Sequence, residues 1–140
     1  MSGENIYSMP GVLTVEYRDD RKTALAHYDK LSVPSIREAI EKGLAAAAKA
    51  GAKTWVIDLT RNPGVPRQDD AKWIETEAVR LVIANGFKAV INVHGGSAVA
   101  RMGSQRWSRG AQVSGLSIYD TDSIDAALEL GGKVATGQAS

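Results

Sequence analysis

Two short runs, Thr54-Trp55-Val56-Ile57-Asp58-Leu59 and residues 87–93, are nearly unbroken in apolar side chains. A strand with one wet face alternates apolar and polar residues. A continuous apolar run of this length suits a strand covered on both faces, as in a parallel sheet. Each run is followed by a loop and then a segment of helical spacing. Parallel neighbours need such crossovers, and the crossover helices supply the covering layers. This alternation makes the chain an α/β protein.

The flanking segments fill in the rest. Leu13, Val15 and Tyr17 fall at a period of two, and Thr23 to Asp29 continues the alternation. The charged turn Arg18-Asp19-Asp20-Arg21 between them predicts a β-hairpin. Ser35 and Glu38 stand at capping-box spacing, with Pro34 suited to a first turn. Ile36, Ile40, Leu44 and Ala47 then share one helical face, and Gly51 is a stop. A second helix, capped by Asp69 or Asp70, runs through Ile74, Ala78, Leu81 and Val82 to Asn85-Gly86. A third is expected from about Ser97 to Gln112. Leu116–Tyr119 forms a last strand, and a last helix begins at Asp122. The expected order is β-β-α-β-α-β-α-β-α, in a mixed, mostly parallel central sheet flanked by helices. Residues 1–10 read as a lead-in, 11–130 as the domain and 131–140 as a flexible tail.

Composition excludes several functions. A chain of 140 residues with a net charge of +1 is one domain and no general polyanion binder, so no nucleic acid is expected. It has no cysteine, which removes disulfides, thiol nucleophiles and thiolate metal ligands. His27 and His94 are its only imidazoles, too few for a multi-histidine metal site. No metal or cofactor is expected. No apolar run approaches the roughly 18 residues of a membrane span, and the N-terminus lacks the pattern of a secretory signal. The cytoplasm is the expected compartment.

Element order and lengths over roughly residues 11–130 resemble the STAS, or SpoIIAA-like, domains of bacterial anti-sigma-factor antagonists. The resemblance is carried by the opening hairpin, the strand Trp55-Val56-Ile57-Asp58-Leu59-Thr60 with its loop and helix, and the ending Ile118-Tyr119-Asp120-Thr121-Asp122-Ser123. It implies a non-enzymatic signalling or scaffold module. The partner would be a regulator, a kinase or a companion signalling protein, bound through the loop and helix after the third strand. A homodimer is also open. Many family members carry a phosphorylatable serine at the start of that helix. The matching stretch here, Pro66-Arg67-Gln68-Asp69-Asp70, has no Ser or Thr. Its aspartates already place negative charge at a helix start, where a phosphate would exploit the same dipole.

Partner-binding candidates in that region are Arg61, Arg67, Asp69, Asp70 and Trp73. Trp73 precedes the core-facing Ile74 and suits a protein-binding hot spot, or simply packs at a helix edge. Residues 78–119 hold five basic residues and no acidic one. Among these, Arg101 and Arg109 share the outward face of the third helix, as a second docking surface or a solvated face.

The turn His94-Gly95-Gly96-Ser97 joins a strand end to a helix start. It is a candidate site for an anionic nucleotide or lipid headgroup, or an ordinary tight turn. It matches neither a Walker loop nor a dinucleotide fingerprint. His94, Ser97 and Asp120 lie near one sheet edge, but no Gly-x-Ser-x-Gly elbow accompanies them, so no catalytic assignment is made. Asp58 ends an apolar strand, where a carboxylate acts as a base, a metal ligand or a cap for the neighbouring loop.

Overall fold

The computed structural model describes residues 3–61, 63–94 and 116–137. One six-stranded sheet runs through them in the order β1 (Glu4–Met9), β2 (Leu13–Arg18), β3 (Thr23–Tyr28), β4 (Thr54–Asp58), β5 (Ala89–Val93), β6 (Ser117–Thr121). The first three strands are antiparallel and the last four parallel, so β3 is the pivot of a mixed sheet. Helix α1 (Ile36–Ala50) crosses from β3 to β4. Helices α2 (Gln68–Trp73) and α3 (Val79–Ala84), joined by a π-helical turn at Ile74–Ala78, cross from β4 to β5. Helix α4 (Ile124–Ala135) closes the described chain. No helix among the described residues is long and apolar enough to cross a membrane.

Alternation sorts the side chains into two layers. Leu13, Val15, Tyr17, Ala24, Ala26, Tyr28, Trp55 and Val90 face α1 and α3, where Ile36, Ile40, Leu44, Val79 and Val82 meet them. Leu25, Val56, Ile91 and Val93 face the other way, under Ala127 and Leu128 of α4. Trp55 anchors the larger layer, edge-on to Phe87 with centroids 5.9 Å apart. The small residues of α1 let it lie close to the sheet. A Cβ added at Gly43 would stand 3.1 Å from Val15 and 3.3 Å from Trp55.

The structure corrects the expected boundaries at both ends. Residues 4–9, expected as a lead-in, form edge strand β1. The register slips between Asn5 and Tyr7, so strict alternation fails there and the strand is hidden in sequence. Residues 131–135, expected as tail, continue α4. Gly131 and Gly132 weaken the helix signal, yet they allow its close approach: a Cβ at Gly131 would stand 2.3 Å from Thr23 Oγ1. Ser35 also makes no side-chain cap bond. Its own backbone is already helical, at φ −75° and ψ 0°, whereas a capping residue is extended. The expected third helix, residues 97–112, lies outside the described residues.

Candidate functional site

Three polar clusters stand at the carboxyl edge of the parallel strands or in the layer beside it. The first is built by sheet register. His27 on β3 is paired directly with Asp58 on β4. Its Nδ1 lies 2.6 Å from Asp58 Oδ2, and its Nε2 lies 3.4 Å from Glu16 Oε1 on β2. Asp58 Oδ1 accepts hydrogen bonds from the Thr60 backbone N–H at 2.9 Å and the Thr60 hydroxyl at 2.6 Å. Glu16 is held in turn by Arg18 Nε. The result is an imidazole between two carboxylates, with the inner one 2% exposed.

The electrostatics follow from these bonds. The hydrogen bond to Asp58 raises the His27 pKa above the usual imidazole value, against an opposing effect of burial; Glu16 adds to the rise and Arg61 subtracts from it. Burial resists ionisation of Asp58, but hydrogen bonds from His27 and Thr60 together outweigh it and hold the carboxyl below its ordinary range. Glu16 behaves likewise: burial opposes its charge, and Arg18 and His27 prevail. Asp58 thus secures its neighbouring loop through Thr60. Both its oxygens are engaged by side chains. Among the described residues, no group of three or more His, Asp or Glu is arranged to hold a metal ion.

The second cluster joins helices. Asp70 on α2 is 1% exposed, and it accepts from Arg37 Nε of α1 at 2.7 Å and from Arg67 Nε at 2.9 Å. Burial again opposes its charge, and the two guanidinium bonds hold its carboxyl below the usual range. The Arg37 guanidinium also lies over the Trp73 ring, 5.9 Å from its centroid. The expected cap at Asp69 or Asp70 is therefore not made. Arg67 occupies the extended capping position, and no side chain bonds the first turn of α2. Asp70 turns inward because two cations wait there, and Asp69 remains exposed.

The connecting loop is pinned from three sides. Arg61 donates to Asp29 at 2.9 Å, the Leu31 N–H donates to the Pro63 carbonyl at 3.1 Å, and Arg67 holds Asp70. Between these anchors, Val65 projects into solvent at 53% exposure, preceded by Gly64 at φ +82°. Trp73 is half-buried against the core.

The third cluster is at the β5–β6 edge. His94 Nε2 lies 2.7 Å from Asp120 Oδ1, and Asn92 Nδ2 donates to the same oxygen at 3.3 Å. His94 and Asp120 thus come together as the sequence allowed. Gly95, Gly96, Ser97, Arg101 and Arg109 lie outside the described residues.

The structure brings Arg67, Asp70 and Trp73 together and places Arg61 on the same loop. Sequence reasoning misses Arg37, Glu16 and His27. Arg37 sits one residue after Ile36, on a helix whose apolar face dominates the pattern. His27 and Glu16 become neighbours only when β2, β3 and β4 are in register. A histidine on a buried strand, with Asp58 at the end of the next one, is the available signal. Comparison with family models, with curated proteins and with solved structures finds no match to this chain.

Proposed function

We propose that this chain is a non-enzymatic protein-interaction module of the bacterial signalling or scaffold type, STAS-like in its use of the loop and helix after a central strand. The observation that supports it is the Arg37–Asp70–Arg67 cluster. A buried carboxylate fixes two guanidiniums beside a half-buried tryptophan and an exposed valine, on a loop tethered at both ends. Preorganised aromatic and arginine side chains are the usual energetic centre of a protein interface. The absence of Ser and Thr from residues 66–73 argues for a docking surface that needs no phosphoswitch. Asp70 is sealed beneath two guanidiniums, so the charge that the cluster presents is positive. In this reading the module acts in the cytoplasm, alone or as a homodimer, on a regulator, kinase or companion protein.

The test is affinity capture from native-host lysate with three baits: wild type, Trp73→Ala and Val65→Asp. One stoichiometric partner is expected with wild type, and both variants should lose it. Intact mass from the host should show no phosphate on residues 66–73.

A second reading is carried by the His94–Asp120–Asn92 cluster. Buried His94 and Asn92 meet the exposed Asp120 carboxylate at the carboxyl edge of parallel strands, where α/β proteins place ligands. The ligand proposed is an anionic nucleotide or lipid headgroup at the turn His94-Gly95-Gly96-Ser97, as read from the sequence. A thermal-shift panel of nucleotides and soluble headgroup analogues tests it, since a ligand bound only by the folded state raises apparent stability.

A further inference from the structure

The docking reading leaves the chemistry of the partner open, and the two arginines narrow it. Resting on that reading, we propose that Arg37 and Arg67 form a receptor for one carboxylate of a partner protein, a Glu or Asp side chain set beside an apolar residue that covers Val65.

Each guanidinium gives only its Nε–H to Asp70. Among the described residues, the Nη groups of both make no hydrogen bond. An arginine head carries five N–H donors in a fixed fork matched to carboxylate oxygens. Asp70 therefore holds two forks from the core side and leaves their remaining donors directed elsewhere. The side chains of Arg37 and Arg67 are 41% and 53% exposed, so those donors meet solvent. Trp73 braces the Arg37 head from its ring face, which limits the freedom lost on binding. Arg61 is left out of this receptor, because Asp29 balances its charge one for one.

Charge selects the ligand. Two guanidiniums against one buried carboxylate leave a single positive charge. Asp69 and Lys72, both on the same short helix, offset each other. One carboxylate balances the charge of the Arg37–Asp70–Arg67 cluster itself. A phosphate dianion overshoots it and stands beside exposed Asp69. A peptide suits the site better than a free carboxylic acid, because it can also cover Val65, the exposed apolar residue of the same loop as Arg67.

The test uses blocked octapeptides with one glutamate flanked by leucines on a glycine-serine background. Counterparts carry glutamine or phosphoserine at the central position. Each is titrated into the full-length ¹⁵N-labelled chain while arginine Nε–H signals are followed. The glutamate peptide should move the Arg37 and Arg67 signals, and the glutamine peptide should bind about tenfold more weakly. Arg37→Lys and Arg67→Lys keep the charge but remove the fork. Each should weaken the glutamate peptide about fivefold and leave the glutamine peptide unchanged. If either variant unfolds, Arg37→Gln and Arg67→Gln combined with Asp70→Asn leave the cluster uncharged and should abolish the Glu-over-Gln preference. Equal binding of the two peptides, tighter binding of phosphoserine, or unmoved arginine signals overturns the proposal. Should lysate capture depend on Val65 and Trp73 but not on the arginines, the docking reading survives and the carboxylate receptor falls. Should it depend on none of them, both fall.

Discussion

Asp58 and Asp70 are carboxylates sealed from water to almost the same degree, at 2% and 1% exposure, yet they are neutralised by different bases. Asp58 is met by an imidazole lodged in the sheet, whose side chain is 15% exposed. Asp70 is met by two guanidiniums on flexible stems that reach it from half-exposed positions. The first pairing sits within rigid register, and its imidazole holds a proton that can still be lost as pH rises, above the usual imidazole value. The second joins two helices and a loop, and its cations keep their charge across the accessible pH range. A buried charge can thus fasten a framework or aim a surface. The partner's stiffness and pKa decide which.

The contrast should appear first as stability. Asp58→Ala strands His27 within the sheet and releases the two Thr60 donors that tie down the following loop. It should cost about 3 kcal/mol by urea unfolding near pH 6. Asp70→Ala frees two arginines that can turn to water, so a smaller loss of about 1–2 kcal/mol is expected. The reverse ranking would break the distinction between framework and surface.

The pH profile sharpens it. Folded His27 holds its proton more tightly than unfolded His27. Its contribution is complete below the ordinary imidazole value of 6.5 and is lost as pH rises through the raised folded value. Asp58 runs the other way. Its contribution is present above the ordinary value of 3.8 and is lost as pH falls through its lowered one. Asp70 shares this acid limb but has no alkaline one. Stability measured from about pH 6 to about pH 9 should therefore decline in the wild type and in Asp70→Asn. In His27→Gln the decline should flatten. A slope retained in His27→Gln assigns the titration elsewhere.

The smallest effect belongs to Glu16. Its contact with His27 is long, at 3.4 Å, and the pair lies near the sheet surface. Glu16→Gln should cost about 0.5 kcal/mol and lower the midpoint of the alkaline decline slightly. A loss matching that of Asp58→Ala would make the triad symmetric.

Much of the framework was legible. The hairpin, the apolar strands β4 and β5, the buried face of α1 and the stops at Gly51 and Gly86 all follow from local pattern and turn chemistry. Gly51 and Gly86 do take positive φ, at +104° and +84°. Edge strand β1 escaped because a bulge broke its period. The end of α4 escaped because glycines read as a tail where they serve close packing. The Arg37–Asp70–Arg67 cluster was half legible. Arg67, Asp70 and Trp73 share one stretch of chain, but Asp70 looked like a cap, and only tertiary structure delivers Arg37 from 33 residues away. Propensity favours the cap until a buried cation competes for the same carboxylate.

The π-helical turn between α2 and α3 has an evolutionary corollary. An ordinary helix advances about 100° per residue, and a wide turn of this kind holds one residue more. Deleting Thr76 would regularise the helix and swing Asp70 and Trp73 by about that angle away from Arg37, while Val79 and Val82 kept their seats in the core. A lineage could therefore re-aim or erase this face by the loss of one codon, leaving every strand of the sheet untouched.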